Sequence, residues 1–368
     1  MNTEFLGLKL KNPIIVAAGP WNRDGRALKR SLDAGAGAVI TETVVTDAYV
    51  DVRPRIAYDS GGVENVRLYS DIQVEGWEKE MEIAKENGGI VIASISGHTP
   101  SEVLYLAEKM EKFGADAIEL SVSSPMGESV EVAASSPDIV FEVTSEVSKQ
   151  VKIPVMVKLS QNATNIAQVA KAAKLAGAAG VSAINTVRCI LNVDIENAQP
   201  MLSTYGGYSG APIRPLGLAS VAAISQSVNI PICGIGGVES ARNIVEYIML
   251  GASAVQVGTG VMLNGIGIIR DMINELDKWM KLKGYKSMED FRGKALDNLK
   301  PLSDMTIKPV KSQACLDTEC EEMCRKCVNA CIYGAIEKNE DVEIDKDRCT
   351  GCGLCTYICP SDKLHLKW

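Results

Sequence analysis

The sequence predicts an α/β protein: a (β/α)8 TIM barrel followed by a small α+β module. Three observations carry that expectation. Eight short apolar runs alternate with amphipathic helical stretches over residues 1–305. Each run is nearly continuous in Val, Ile and Ala, as strands covered on both faces should be. From residue 306 the pattern breaks, and nine of the 11 cysteines crowd between Cys315 and Cys359.

In chain order the runs are Pro13–Ala18, Ala38–Thr43, Ile90–Ile95, Ala117–Val122, Pro154–Leu159, Gly180–Asn185, Pro231–Gly236 and Ala254–Gly258. Helical patterns lie between them, among them Ser101–Phe113, Ile139–Gln150, Thr164–Ala176, Gly217–Ser227 and Ser240–Leu250. Gly114, Gly177 and Gly251 follow such stretches, which suits left-handed helix ends. Eight βα units in this length point to a closed barrel. A doubly wound open sheet also alternates βα, but no G-x-G-x-x-G follows the first run.

The length of 368 residues accommodates one large domain, 1–305, and a small one, 306–368. Hydrophobic residues make up 46%, enough to build a core. Aromatics are scarce at 5%, and the net charge is −8 with no basic stripe. Both argue against a nucleic acid or an anionic membrane as partner. Met1–Leu10 shows no signal-peptide pattern and the chain no long apolar run. The expectation is a cytoplasmic protein of a reducing compartment.

In a barrel, chemistry gathers at the C-terminal ends of the strands. Those ends carry Ala18-Gly19, Thr41–Thr43, Ser96–His98, Ser121–Met126, Lys158–Gln161, Asn185-Thr186, Gly234–Gly237 and Gly258–Gly260. The turns Gly234-Ile-Gly-Gly237 and Gly258-Thr-Gly260 close the last two runs. Glycine there lets backbone N–H groups approach a phosphate, although a tight turn alone would also use it. Lys158 ends the apolar run Val155-Met-Val-Lys158 and suits a cation beside the electron-rich pyrimidine side of a flavin. Glu42 can pair with Lys158, act as an acid/base, bind a cationic or donating substrate, or simply be solvated. His98 is either a substrate contact or an ordinary loop histidine. Arg53-Pro-Arg55 and Asn65–Trp77 fill a connection too long for a simple βα unit, which reads as a lid or entrance over the mouth, although its acidic residues could equally be ordinary solvated surface.

Beyond a linker around Asp297–Pro309, Cys349-x₂-Cys352-x₂-Cys355-x₃-Cys359-Pro360 has the spacing of a bacterial ferredoxin. Upstream stand Cys320-x₃-Cys324-x₂-Cys327-x₃-Cys331, with Ile332 where Pro is usual. In two-cluster ferredoxins the fourth cysteine ligates the other cluster. That rule gives Cys349, Cys352, Cys355 and Cys331 to one [4Fe–4S] cluster. The other takes Cys324, Cys327, Cys359 and Cys320, with Cys315 competing for the last place. A Cys₄ zinc site would show separated pairs instead. Val342-Glu-Ile-Asp345 reads as the small strand between the halves.

Residues 1–300 resemble the dihydroorotate dehydrogenase family, and more closely its dihydropyrimidine dehydrogenase branch. The resemblance rests on Asn12–Gly19, Ser121–Pro125, Val157–Leu159, Ile184–Val187, Tyr205–Pro215, Gly236-Gly237 and Val257-Gly258. It implies FMN at the barrel mouth, with Ala18, Gly19, Thr41, Lys158, Asn185, Thr186, Gly210, Gly236, Gly237, Gly258 and Thr259 around it. It also implies a proton-transferring side chain in the loop after the fourth run, where Ser124 stands.

The loop departs from the family. Ser121 replaces the leading Asn, Met126 replaces the Asn or His after Pro125, and Glu42 stands where Lys is common. His98, Ser121, Met126 and Asn185 are then the substrate-facing candidates. Losing polar partners for a pyrimidine costs about 1–3 kcal/mol per group, which argues against orotate or a simple pyrimidine.

The expected activity is that of an FMN- and iron–sulfur-dependent oxidoreductase acting on an activated C=C bond in a small carbonyl-containing or heterocyclic substrate. Hydride moves at flavin N5 and the proton through Ser124, with Glu42 and Lys158 as further catalytic candidates. Electrons come from a ferredoxin or an FAD/NAD(P)H-dependent reductase subunit, and a homo- or hetero-oligomer is expected. An electron-relay subunit, or a dihydropyrimidine or dihydroorotate dehydrogenase proper, are the alternatives.

Overall fold

Eight parallel strands close into a barrel in the computed structural model, which describes residues 1–47, 53–67, 69–123, 134–305, 311–314, 324–339 and 342–367. The strands are β1 (Ile14–Val16), β2 (Ala38–Ile40), β3 (Val91–Ile95), β4 (Ala117–Ser121), β5 (Val155–Leu159), β6 (Gly180–Ala183), β7 (Ile232–Ile235) and β8 (Ala254–Val257). They pair in sequence order, and β8 closes on β1 through Val255↔Ile14 to Val257↔Val16. All eight expected runs became barrel strands, and the open-sheet alternative falls with the closure.

Capping chemistry sets the helix starts. Asp24, Thr99 and Asn165 side chains accept from Ala27 N, Glu102 N and Gln168 N at 2.9, 3.2 and 3.2 Å. They open α1 (Gly25–Asp33), α3 (Pro100–Lys112) and α5 (Ile166–Leu175), with α2 (Gly76–Lys85) and α4 (Pro137–Gln150) between them. Gly114, Gly177 and Gly251 take positive φ of 93°, 97° and 102° just past helix ends, as the sequence suggests.

Strand parity divides the core in two. Ile14, Val16, Val39, Ile118, Leu120, Val157, Val181 and Val255 face outward onto the helices. Ile15, Ala38, Ile40, Ile92, Ala117, Met156, Cys233 and Ala254 face inward. The N-terminal hairpin, Thr3–Phe5 paired with Leu8–Leu10, inserts Phe5 and Leu6 among those inward residues and plugs the base. The inward layer above them is polar: Ser94, Glu119, Lys158, Ser182 and Gln256 are all buried.

The described part of the long connection after β2 is regular structure, and Val63, Asn65 and Arg67 from it line the barrel mouth. Ile56–Asp59 and Gly62–Asn65 form a hairpin in a four-stranded antiparallel sheet with Gly206–Gly210 and Val187–Cys189. Ser70 N donates to Thr43 O at 2.8 Å, tying the connection to the end of β2. Trp77 is fully buried in α2, so it serves the core rather than the mouth.

The chain divides into two compact units, Met1–Leu299 and Lys300–Trp368. In the second, Lys311–Ala314 pairs antiparallel with Leu364–Lys367, and Ile336–Lys338 with Val342–Ile344. Two five-residue helices, Lys326–Ala330 and Leu354–Ile358, pack together. Cys327 and Cys355 are buried with Ile336 and Leu364, and Cys331 packs against them.

Candidate active site

The C-terminal mouth of the barrel opens into a cleft of about 1140 Å³, its entrance included. Ten of the eleven residues expected around a cofactor line it: Ala18, Gly19, Lys158, Asn185, Thr186, Gly210, Gly236, Gly237, Gly258 and Thr259. Thr41 does not; its hydroxyl accepts from Ser94 N at 3.0 Å within the sheet. Ser121 and Glu42 also line the cleft. His98 is exposed and lies outside it, beside α3, with its backbone N donating to Glu102 at 2.8 Å. Ser124, Met126, Cys315 and Cys320 lie outside the described residues.

The turns after β7 and β8 are shaped by backbone needs that only glycine meets. Gly237 has φ +62°, and a Cβ there would come within 2.8 Å of the Gly210 carbonyl. A Cβ on Gly258 would meet the Trp21 ring at 2.9 Å. Tyr247 OH donates to Gly236 O at 2.8 Å, and Thr259 Oγ1 donates to Ser209 Oγ at 2.8 Å, so both turns are braced from behind. Trp21, whose Nε1 donates to Ala17 O at 2.7 Å, walls the same end.

At the opposite wall, Asn185 Nδ2 donates to Ser123 Oγ at 2.7 Å, and Thr186 N donates to Asn185 Oδ1 at 2.9 Å. These bonds fix the amide at the end of β6 against the end of β4. Lys158 points up from the floor, with its side chain 8% exposed. Its Nζ lies 3.7 Å from Glu119 Oε1, so Glu42 is not its partner.

Glu42 pairs instead with Arg67, which the sequence did not single out. Arg67 Nε and Nη2 donate to the two Glu42 oxygens, both at 2.6 Å, and Nη2 also reaches Asp71 at 3.2 Å. The pair is bidentate and nearly fully buried, at 4% and 3% side-chain exposure. An Asn65 turn aims it: Arg67 N donates to Asn65 Oδ1, and Asn65 Nδ2 donates to Arg67 O, each at 3.0 Å. Burial raises the Glu42 carboxyl above its ordinary value, and the Arg67 hydrogen bond and charge oppose that rise. The available sequence signal was positional. Arg67 sits two residues after Asn65 in the over-long connection, but nothing in spacing alone marks it as the partner of a strand-end Glu.

These residues fit a flavin phosphate and ring. The glycine turns offer backbone N–H groups, Lys158 offers a cation, and Gln256 Oε1, a buried acceptor with no partner among the described residues, lines the cleft as well. In the second unit, Cys331 Sγ accepts from Ala335 N at 3.3 Å and Cys359 Sγ from Lys363 N at 3.5 Å. Each cysteine directly follows one of the two short helices, and N–H···S bonds of this kind are those that stabilise cluster thiolates.

Residues 1–280 match the family model described as dihydroorotate dehydrogenase, and residues 304–363 match the 4Fe-4S dicluster domain. The chain is 37% identical over 300 residues to the dihydroorotate dehydrogenase B (NAD(+)), catalytic subunit, of Thermoplasma volcanium, covering 80% of this chain and 98% of that protein. It is 38% identical over 294 residues to the same subunit of Methanosarcina mazei, covering 78% and 93%. It is 33% identical over 330 residues to the chloroplastic dihydropyrimidine dehydrogenase (NADP(+)) of Arabidopsis thaliana, covering 81% and 78%.

Proposed function

Since this chain belongs to the dihydroorotate dehydrogenase family and carries a 4Fe-4S dicluster domain, it is a flavin- and iron–sulfur-dependent oxidoreductase acting on CH–CH groups, and we propose that its substrate is a small neutral carbonyl-containing or heterocyclic molecule with an activated C=C bond. One observation carries the reading: ten expected cofactor residues, nine from the ends of five barrel strands together with Gly210, line a single cleft, in which Arg67 is already matched by Glu42. Bound FMN supplies hydride transfer at N5. The glycine turns at Gly236-Gly237 and Gly258 hold its phosphate, with Thr259 and Gly210 beside them. Lys158, Asn185 and Thr186 face its ring.

On the substrate side, Glu42 has both oxygens engaged by Arg67, which disfavours it as the proton carrier. Ser124 takes that part, relayed through water because a serine hydroxyl has a high intrinsic pKa. Ser121, Asn185 and the Glu42–Arg67 pair orient the substrate, with Met126 giving it a less polar face. An anionic ring such as orotate would meet Arg67 already neutralised by Glu42, so a neutral substrate fits better.

Electrons enter through clusters held by Cys349, Cys352, Cys355 and Cys331, and by Cys324, Cys327, Cys359 and Cys320. The donor is a ferredoxin or an FAD/NAD(P)H-dependent subunit, in keeping with the catalytic-subunit names of several relatives. Among the described residues no helix is long and apolar enough to cross a membrane.

The phosphate cradle is tested by stripping the flavin anaerobically and reconstituting with FMN or riboflavin. FMN should bind at least about 100-fold more tightly, since charge-assisted bonds to a phosphate contribute about 1.5–3 kcal/mol each. Equal affinities would contradict the assignment of Gly236, Gly237 and Gly258.

A further inference from the structure

Under the cleft floor, β4, β5, β6 and β8 turn Glu119, Lys158, Ser182 and Gln256 into the barrel. Glu119 is fully buried. Its Oε2 accepts from Ser182 Oγ and from Gln256 Nε2, both at 2.9 Å. Its Oε1 is buried with no hydrogen-bond partner among the described residues and lies 3.7 Å from Lys158 Nζ. A charge-assisted hydrogen bond would be about 2.7–2.9 Å long. Two hydrogen bonds hold the carboxylate through Oε2, so Oε1 meets Lys158 only as an ion pair. It compensates the lysine charge through space while leaving the ammonium donors to whatever occupies the cleft. Ser182 and Gln256 hold it in that position by claiming the other oxygen. Cys233, also inward and fully buried, sits near the carboxylate with its thiol pushed well up, first by burial and then by the Glu119 charge. A neutral thiol at Cys233 adds no positive charge beside Glu119.

We infer that Glu119 is a positioning residue: from beneath Lys158 it sets how much positive charge the bound flavin feels, and so how readily the flavin accepts electrons. The inference rests on the reading that Lys158 faces the flavin ring. Reduction puts negative charge on that ring, and a less compensated lysine stabilises it.

The test uses the holoprotein and reads the flavin midpoint potential and the affinity for sulfite, which on binding also places negative charge on the ring. Glu119→Gln keeps the shape and the bonds to Ser182 and Gln256 but removes the compensating charge. The potential should rise and sulfite should bind about tenfold more tightly, the scale of one charge acting through protein interior. Ser182→Ala removes one donor from Oε2 and leaves the carboxylate more strongly negative toward Lys158. The potential should fall and sulfite binding should weaken. General loosening of the barrel would move both variants the same way, so opposite signs support the inference. Shifts of the same sign, or no change in Glu119→Gln, overturn it. Should Glu119→Gln fail to fold, Ser182→Ala decides: a fall supports the inference, and silence or a rise overturns it. Lys158→Met separates the two layers of the claim. If it leaves sulfite affinity unchanged, the Lys158 reading fails and the inference with it. If it weakens sulfite while Glu119→Gln is silent, the Glu119 inference alone fails.

Discussion

Ser124→Ala is expected to lower substrate turnover by about 10²–10⁴-fold, the usual worth of a positioned proton carrier. Flavin binding and reduction of the flavin through the clusters should stay intact, because the phosphate turns and Lys158 are untouched. The chain neighbours of Ser124 belong to the cleft. Ser123, one residue before it, is buried and bonded to Asn185 Nδ2 within the cleft, and Ser121 ends β4 there as well. Glu42, the rival, has both oxygens committed to Arg67. Ser124→Cys should retain much of the activity and move the basic limb of the pH profile downward, since a thiol ionises near 8.5. Stopped-flow mixing of the reduced protein with substrate reads the step directly. If Ser124→Ala reoxidises at the wild-type rate, the proton passes through another group.

Cys331→Ala is expected to halve the iron content and to strip a cluster that its sequence neighbours do not hold. Cys327 and Cys331 are near each other in the chain, but the crosswise rule sends Cys331 to the cluster of Cys349, Cys352 and Cys355. The two halves are built alike: each has a five-residue helix, a buried cysteine within it, and a following cysteine whose sulfur accepts a backbone N–H four residues on. Alkylation of the anaerobic variant followed by mass spectrometry should label Cys349, Cys352 and Cys355 while sparing Cys324, Cys327 and Cys359. The reverse pattern would mean that each half binds its own cluster.

Much of the barrel is legible because two-face burial makes each strand a continuous apolar run, and all eight runs could be read without structure. The same rule hides the polar layer. Glu119 lies inside the run Ala117–Val122, and only closure of the barrel shows that its side of β4 faces inward with Lys158, Ser182 and Gln256. Glycine turns could be read because their spacing and place at strand ends are both local. Arg67 could not, because its bond to Glu42 spans 25 residues of chain and depends on an antiparallel sheet built from four separate segments. Thr41 and His98 show the opposite error. Both stand near a strand end in sequence, but one turns into the sheet and the other stays outside the cleft.

An anaerobic reductive titration followed by absorbance tests the central claim, that one chain couples a flavin to two iron–sulfur clusters. The holoprotein should take up about four electrons per chain, two into the flavin and one into each cluster, with the flavin bands bleaching as the broad cluster absorbance falls. Uptake of about two electrons, or reduction that leaves the flavin bands in place, would contradict it.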